Sequence, residues 1–331
     1  MKISILDQSP ISSNQTAQDA LLQSMKLAQA GEKLGYTRYW IAEHHDLSGL
    51  ACSAPEVMLS YIGAHTSTIR LGAGAVLLPH YSPYKVAEVY NMLATLFPGR
   101  MDLGIGRAPG GSAEATEALS GNFLQRVWKM PELVSDLLHF LENDFPEGHL
   151  FSKVQASPLP PVPAVTWLLG TSKKSAILAA ENGMNYAFGQ FMSDKDGAEI
   201  IGQYRENFKP RKDGQKPQVI ITISAFCGET QEKAEEIALS SLIWSIQKGK
   251  GEGSRVPSFE EAKNYVLNDL EKEKILKMKE KILIGNPQQV KERLVRIQND
   301  CHADEIMIVT ITHDFKDKIQ SYKLIAEEVL S

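Results

Sequence analysis

The sequence lacks what would tie it to a membrane, a nucleic acid or a disulfide scaffold. Its 331 residues hold three cysteines, Cys52, Cys227 and Cys301, far apart and with no C-x-x-C pair. An odd, scattered set argues against a disulfide framework or a structural zinc site, and makes a reducing cytoplasm the expected setting. Each thiol reads as a buried, inert side chain. No apolar run approaches the roughly 18 residues of a membrane span; the longest, Leu71 to Pro79, is strand-sized. The opening MKISILDQSP carries one lysine and a strand-like run rather than a secretory core. Basic charge is not in excess either. The net charge is −5 and no segment concentrates Lys and Arg, which argues against nucleic acid or an anionic membrane surface as partner. What remains is an ordinary globular composition, 43% hydrophobic, sufficient for one large domain or two small ones.

The order of elements says more. ISIL (3–6), TRYWIAE (37–43), IRLGAGAVLL (69–78), MDLGIGR (101–107), AVTWLLG (164–170), NYAFG (185–189), QVIITISAFC (218–227) and ADEIMIVT (303–310) read as strands. Helical segments separate them. The first spans 16–35 and ends on Gly35; another starts at SAPE (53–56), an S-x-x-E capping box with a proline inside. Others open at Ser82-Pro83, near Ser172, at Thr230 and at Asp314, and 112–149 is helical with interruptions. Eight strands alternating with helices mean a parallel sheet with crossover helices. The count fits a single α/β domain over 1–331, a (β/α)₈ TIM barrel with insertions at the C-terminal mouth. An open doubly wound sheet is the alternative. Residues 247–281, glycine-rich and then densely charged, fall outside the repeat and read as a mobile or lid-like insertion.

A barrel places its chemistry at the C-terminal strand ends. Those ends carry Asp7 and Gln8, Glu43-His44-His45, Pro79 and His80, Gly106 and Arg107, Gly170-Thr171-Ser172, and Gly189 and Gln190. The stretch DLGIGRAPGG (102–111) fails the dinucleotide fingerprint, because Pro109 stands where the third glycine belongs. Gly106 still lets a ligand approach the backbone, and Arg107 offers a planar cation suited to phosphate. Gly170, Thr171, Ser172 and Ser175 put hydroxyls and amides at a helix N-terminus, a second phosphate-favouring feature. In EHHD (43–46), adjacent histidines on extended chain point to opposite sides, so a metal site is not expected. One imidazole facing the mouth and polarised by Glu43 suits proton transfer. Small residues in GAGAVLLP (72–79) suit either tight barrel packing or a flat ring lying on the backbone.

Taken together, GYTRYWIAEHH, LGAGAVLLPHYSPYKVAE, LFPGRMDLGIGRAPG, LLGTSKKSAILAAENG and ADEIMIV, in that order, resemble the bacterial luciferase-like flavin-dependent monooxygenases. The resemblance implies a (β/α)₈ barrel binding FMN at its mouth. It implies that Glu43 and His44 line the flavin site, with His44 as the acid/base residue. It implies that Gly74 and Ala75 lie against the isoalloxazine, at a junction that is a non-prolyl cis peptide in several members, and that Gly106, Arg107, Gly170, Thr171, Ser172 and Ser175 belong to the cofactor site. Two positions depart from luciferase: Gly106 replaces a cysteine and Thr171 a glutamate. These departures put light emission in doubt, not the flavin. The implied chemistry uses reduced FMN from a separate reductase. Oxygen adds at flavin C4a to give a peroxide, and one oxygen atom passes to a small organic substrate. A homodimer is the family expectation. A flavin-binding protein without turnover and a deazaflavin (F420)-dependent oxidoreductase are the alternatives.

Overall fold

The structure, a computed structural model, describes residues 1–330. In chain order its elements are β1 (Ile3–Asp7), α1 (Ala17–Leu34), β2 (Arg38–Ile41), α2 (Pro55–Ala64), β3 (Arg70–Leu77), α3 (Pro83–Leu96), β4 (Met101–Gly106), α4 (Ala113–Leu119), α5 (Phe123–Trp128), α6 (Met130–Glu142), β5 (Val165–Gly170), α7 (Lys173–Glu181), β6 (Asn185–Gly189), α8 (Gly197–Glu206), β7 (Val219–Cys227), α9 (Gln231–Gly249), α10 (Phe259–Lys263), α11 (Asp269–Lys281), β8 (Leu283–Gly285), α12 (Pro287–Cys301), β9 (Glu305–Val309) and α13 (Phe315–Val329). No described helix is long and apolar enough to cross a membrane.

All strand pairings between these elements are parallel, and β1 through β7 close onto β9, which pairs with β1. The result is a closed eight-stranded TIM barrel, and each strand expected from the sequence is one of its staves. β8 is an addition. It pairs with Ala225–Cys227, where β7 runs on past its barrel partners. Three residues after a charged helix carry too little periodicity to be read as a strand.

Local signals set most helix ends. Thr16 and Asp19 form a reciprocal capping box, and Gly35 closes α1 at φ +83, a conformation that costs glycine nothing. Ser82, Ser172, Thr230 and Asp314 are the N-cap residues expected. The capping box expected at Ser53–Glu56 does not form. Ala54 holds the N-cap position with no side-chain bond, and Pro55 alone starts α2. Proline at the first helical position needs no amide partner, so the helix begins without the cap.

The N-terminal end of the barrel is closed by ions. Arg38 donates through Nε and Nη2 to Glu305 at 2.7 and 2.9 Å, and through Nη1 to Asp102 at 2.7 Å. Asp102 also receives Trp40 Nε1 at 3.1 Å and Arg70 at 2.5 Å, and the Arg38 guanidinium lies 4.9 Å from the Trp167 ring centroid. Each charge is paired and saturated with donors, the condition under which burial of ions is tolerated. Above this plug, Trp40, Trp167, Ile220 and Met307 fill the barrel axis. That filling explains the small residues of β3. A Cβ on Gly72 would stand 2.6 Å from Trp40 Nε1, and one on Gly74 would stand 2.8 Å from Leu6 Cδ1.

Residues 247–281 form the end of α9, a loop, α10 and α11. The loop is tied to the C-terminal mouth by backbone bonds: Val256 N–H donates to Ile11 at 2.9 Å and Ser13 N–H donates to Val256 at 2.9 Å.

Candidate active site

A cavity of about 340 Å³ opens at the C-terminal ends of the strands, and all ten residues that the resemblance assigns to the cofactor site line it. They arrive there on four strands: Glu43 and His44 after β2, Gly74 and Ala75 in β3, Gly106 and Arg107 at the end of β4, and Gly170 at the end of β5 with Thr171, Ser172 and, in the first turn of α7, Ser175. The floor is apolar, made by Leu6, Leu169, Ala187 and Met307.

β3 shapes one wall. Between Ala73 and Val76 its register against β4 slips, so that the Gly74–Ala75 unit leaves the ladder. The peptide bond joining Gly74 and Ala75 is cis. The tight-packing reading of the small-residue strand holds: Gly72 and Gly74 make room for the barrel interior. Gly74 and Ala75 also line the cavity.

The adjacent histidines part as an extended chain requires. His44 turns to the cavity, and its buried Nδ1 has no hydrogen-bond partner. Burial pulls its pKa down to about 4, with the charges of Lys248 and His45 adding to the effect. It is a neutral imidazole at pH 7. His45 turns away, and its Nε2 meets Glu43 Oε1 at 2.8 Å. The expectation that Glu43 polarises the mouth-facing imidazole is thus corrected. Glu43 also accepts from Tyr81 Oη at 2.6 Å and from the Leu77 amide at 3.1 Å. The bonds to Tyr81 and Leu77 pin the end of β2 to the end of β3. Burial pushes the Glu43 pKa up against the pull of its donors.

At the far end, Arg107 is solvent-exposed and has no hydrogen-bond or ion-pair partner among the described residues. Opposite it starts α7. Ser172 and Ser175 cap each other reciprocally, and Ser175 Oγ also reaches Tyr186 Oη at 3.0 Å. The serines thus serve as an ordinary helix cap. The helix N-terminus that they fix nevertheless faces the cavity. Gly170 is required by this cap, since a Cβ there would stand 2.2 Å from Ser175 Oγ. A second cavity of about 270 Å³ shares Arg107 and Ser175 and continues past Lys174 and Trp128.

Of the strand-end residues, Asp7, His45, Pro79, His80 and Gln190 do not line the cavity. Asp7 is buried behind it, accepting from Ser24 at 2.6 Å, Tyr39 at 2.8 Å and Lys318 at 3.2 Å. His80 is held by Pro109 and Ser120, both at 2.9 Å, and stacks on Phe123. Phe191, Met192, Thr222 and Lys174 line the cavities without having been singled out in the sequence. No local motif distinguishes them; only barrel closure brings them in.

The residues suit a flat, apolar ring with a phosphate tail. The wall at Gly74–Ala75 carries no side chain larger than the Ala75 methyl, Arg107 and the α7 N-terminus offer an anion site, and His44 Nδ1 is an orphaned buried group awaiting a partner.

Comparison with known proteins agrees with this geometry. The family model for luciferase-like monooxygenases matches residues 1–301. The Bacillus subtilis protein YwcH is 41% identical, over 99% of this chain and 98% of its own length. The N-acetyl-S-alkylcysteine monooxygenase of the same organism is 36% identical, over 100% and 99%. The crystal structure of apo-MsnO8 superposes with a TM-score of 0.88 at 32% identity, covering 99% of this chain and 97% of that one. More distant structures share the fold. They include the FMN complex of the oxygenating constituent of a Pseudomonas putida diketocamphane monooxygenase, at TM-score 0.75 and 19% identity, covering 99% of this chain and 97% of that one. An F420-dependent secondary alcohol dehydrogenase, at 0.72 and 16%, covers 99% and 98%. With the family model spanning most of the chain over a barrel whose mouth holds the expected residues, this protein belongs to the luciferase-like monooxygenase family.

Proposed function

We propose that the chain is the oxygenase component of a two-component system that uses FMN, reduced by a separate reductase, to insert one atom of O₂ into a small organic substrate. The observation that carries this reading is the cavity's polarity along its length. An unpaired guanidinium and a helix N-terminus stand at one end, a wall with no side chain larger than the Ala75 methyl lies in the middle, and an unpartnered neutral imidazole lies on the inner side. A distant fold neighbour bound to FMN supports the choice of flavin, and its description as an oxygenating constituent supports a separate reductase.

In this reading Arg107, Gly106, Gly170, Thr171, Ser172 and Ser175 form the phosphate end. Arg107 supplies the planar charge, and Ser172 and Ser175 hold the α7 amides in place. Gly74 and Ala75 receive the ring. Bound reduced FMN supplies the two electrons that let O₂ divide between substrate and water. His44 is the catalytic acid/base. Neutral at pH 7, it accepts a proton at Nδ1 and returns it to the departing oxygen. Glu43 positions β2 against β3 through Tyr81 and Leu77. The apolar floor and the 247–281 segment over the mouth exclude water from the reacting centre. The protein acts in the cytoplasm as a homodimer, without membrane or nucleic acid. N-acetyl-S-alkylcysteines, the class named for a full-length relative, are the first substrates to test.

The test is single turnover. Protein with stoichiometric reduced FMN is mixed with oxygenated buffer containing N-acetyl-S-methylcysteine, and the product is analysed by mass spectrometry under ¹⁸O₂. One labelled oxygen atom per molecule of product supports the proposal. Product labelled from water, or hydride transfer from reduced F420 in place of oxygenation, overturns it.

A further inference from the structure

The FMN reading engages one side of the cavity. The closed barrel runs in the order β1, β2, β3, β4, β5, β6, β7, β9, and the residues assigned to the cofactor lie between the end of β2 and the first turn of α7. The other arc, from β6 through β7 and β9 to β1, lines the cavity with Leu6, Phe191, Met192 and Met307. Among the described residues it brings no charged side chain to the cavity, and its hydrogen-bonding side chains there are Thr222 and Gln8. Gln8 stands past the end of β1 and is partly exposed, whereas Thr222 lies within β7 and is 5% exposed.

Strand alternation aims Thr222 inward. Ile221 and Ile223 pack outward in the main core, and Ile220 joins Trp40, Trp167 and Met307 on the barrel axis. Thr222 follows Ile220 on that inner face, one step nearer the mouth. Its ladder neighbours are Gly189 on β6 and Met307 on β9, which line the same cavity. Strand β7 lies four places from β3 in either direction round the barrel, so Thr222 stands across the cavity from Gly74–Ala75. The buried threonines Thr66, Thr310 and Thr312 each donate their hydroxyl to a backbone carbonyl, at 2.8, 2.7 and 2.7 Å. The Thr222 hydroxyl has no hydrogen-bond partner among the described residues. A pocket orients its ligand through a few such groups, and a donor left without a protein acceptor is available to one.

Resting on the FMN-monooxygenase reading, we propose that Thr222, unpartnered and facing Gly74–Ala75 across the cavity, is a specificity-determining residue whose hydroxyl donates a hydrogen bond to an uncharged acceptor, such as a carbonyl oxygen, of an otherwise apolar substrate. A ring received by Gly74–Ala75 leaves its other side to β7, so the substrate lies between the ring and Thr222. Phe191, Met192 and Met307 enclose its apolar part. A neutral donor among apolar walls selects against a competing molecule that lacks the acceptor, because the hydroxyl then stays unpaired in a space closed to water. A threonine present only as a β-branched strand residue would be matched by valine.

The experiment measures, by calorimetry on FMN-loaded protein, binding of two uncharged thioethers to wild type, Thr222→Val and Thr222→Ser. N-acetyl-S-methylcysteine methyl ester carries carbonyl acceptors and dipropyl sulfide carries none. FMN affinity is measured on the same samples. The expected result is that Thr222→Val weakens binding of the ester about tenfold, the scale of one lost hydrogen bond, and leaves dipropyl sulfide and FMN binding unchanged, while Thr222→Ser keeps the ester affinity. Retained sulfide binding shows that the valine variant is folded. Ester binding unchanged in Thr222→Val overturns the proposal, as do an equal loss for both thioethers, a loss confined to FMN, and a wild type that binds neither thioether. Failure of wild type to bind FMN overturns the cofactor reading, and this proposal with it.

Discussion

Glu43 and His45 share a 2.8 Å hydrogen bond, and that bond leaves the intervening His44 facing the cavity with its Nδ1 unpartnered. Two adjacent imidazoles therefore face different surroundings: one is bonded to Glu43 and the other faces the cavity. Replacing His44 by Gln is expected to lower the rate of product formation by roughly 10²–10⁴-fold, the range for losing a general acid/base. FMN affinity should fall far less. His45→Gln should keep most of the rate and lose stability instead. Stopped-flow turnover and FMN titration of the two variants separate the roles; equal rate losses would refute the division.

The low pKa of His44 has a consequence for stability. Its folded value of about 4 lies below the ordinary 6.5, so the folded state resists a proton that the unfolded chain accepts. The stability associated with this group is fully present above pH 6.5 and is lost as pH falls toward 4. The full shift corresponds to about 3 kcal/mol, less what residual solvent screens. Denaturant titrations between pH 7 and 4 should show wild type losing more stability than His44→Gln. Parallel curves would contradict the assignment.

Much of this site was legible because a (β/α)₈ pattern sends strand ends to one face, so EHH, GIGR and GTSKKS had to meet. What stayed hidden depended on partners distant in sequence. The Glu43–Tyr81 and Glu43–Leu77 bonds need β2 and β3 side by side. The capping box at Ser53 was a true sequence signal that the structure does not use, since Pro55 starts the helix unaided.

Glu43 serves three donors at once. Glu43→Ala should cost about 3 kcal/mol by stranding the Leu77 amide, the Tyr81 hydroxyl and His45. Glu43→Gln should cost much less, because burial already favours the uncharged form. Thermal unfolding of the pair checks this; a Gln variant as unstable as the Ala variant would show that the charge itself is required.

The ionic plug at the opposite end of the barrel supplies a control. Arg38→Met leaves Glu305 buried without its counter-charge and Asp102 with Arg70 alone, and should cost about 3–5 kcal/mol. FMN affinity of the protein that remains folded should not change. A specific loss of FMN affinity would mean that the plug and the mouth are coupled.

The most direct test of the cofactor assignment is equilibrium titration of wild type and Arg107→Ala with reduced FMN, riboflavin and F420. The account predicts that reduced FMN binds more tightly than riboflavin, and that Arg107→Ala removes this difference while leaving riboflavin binding unchanged. Tight binding of F420 with no binding of reduced FMN would contradict it.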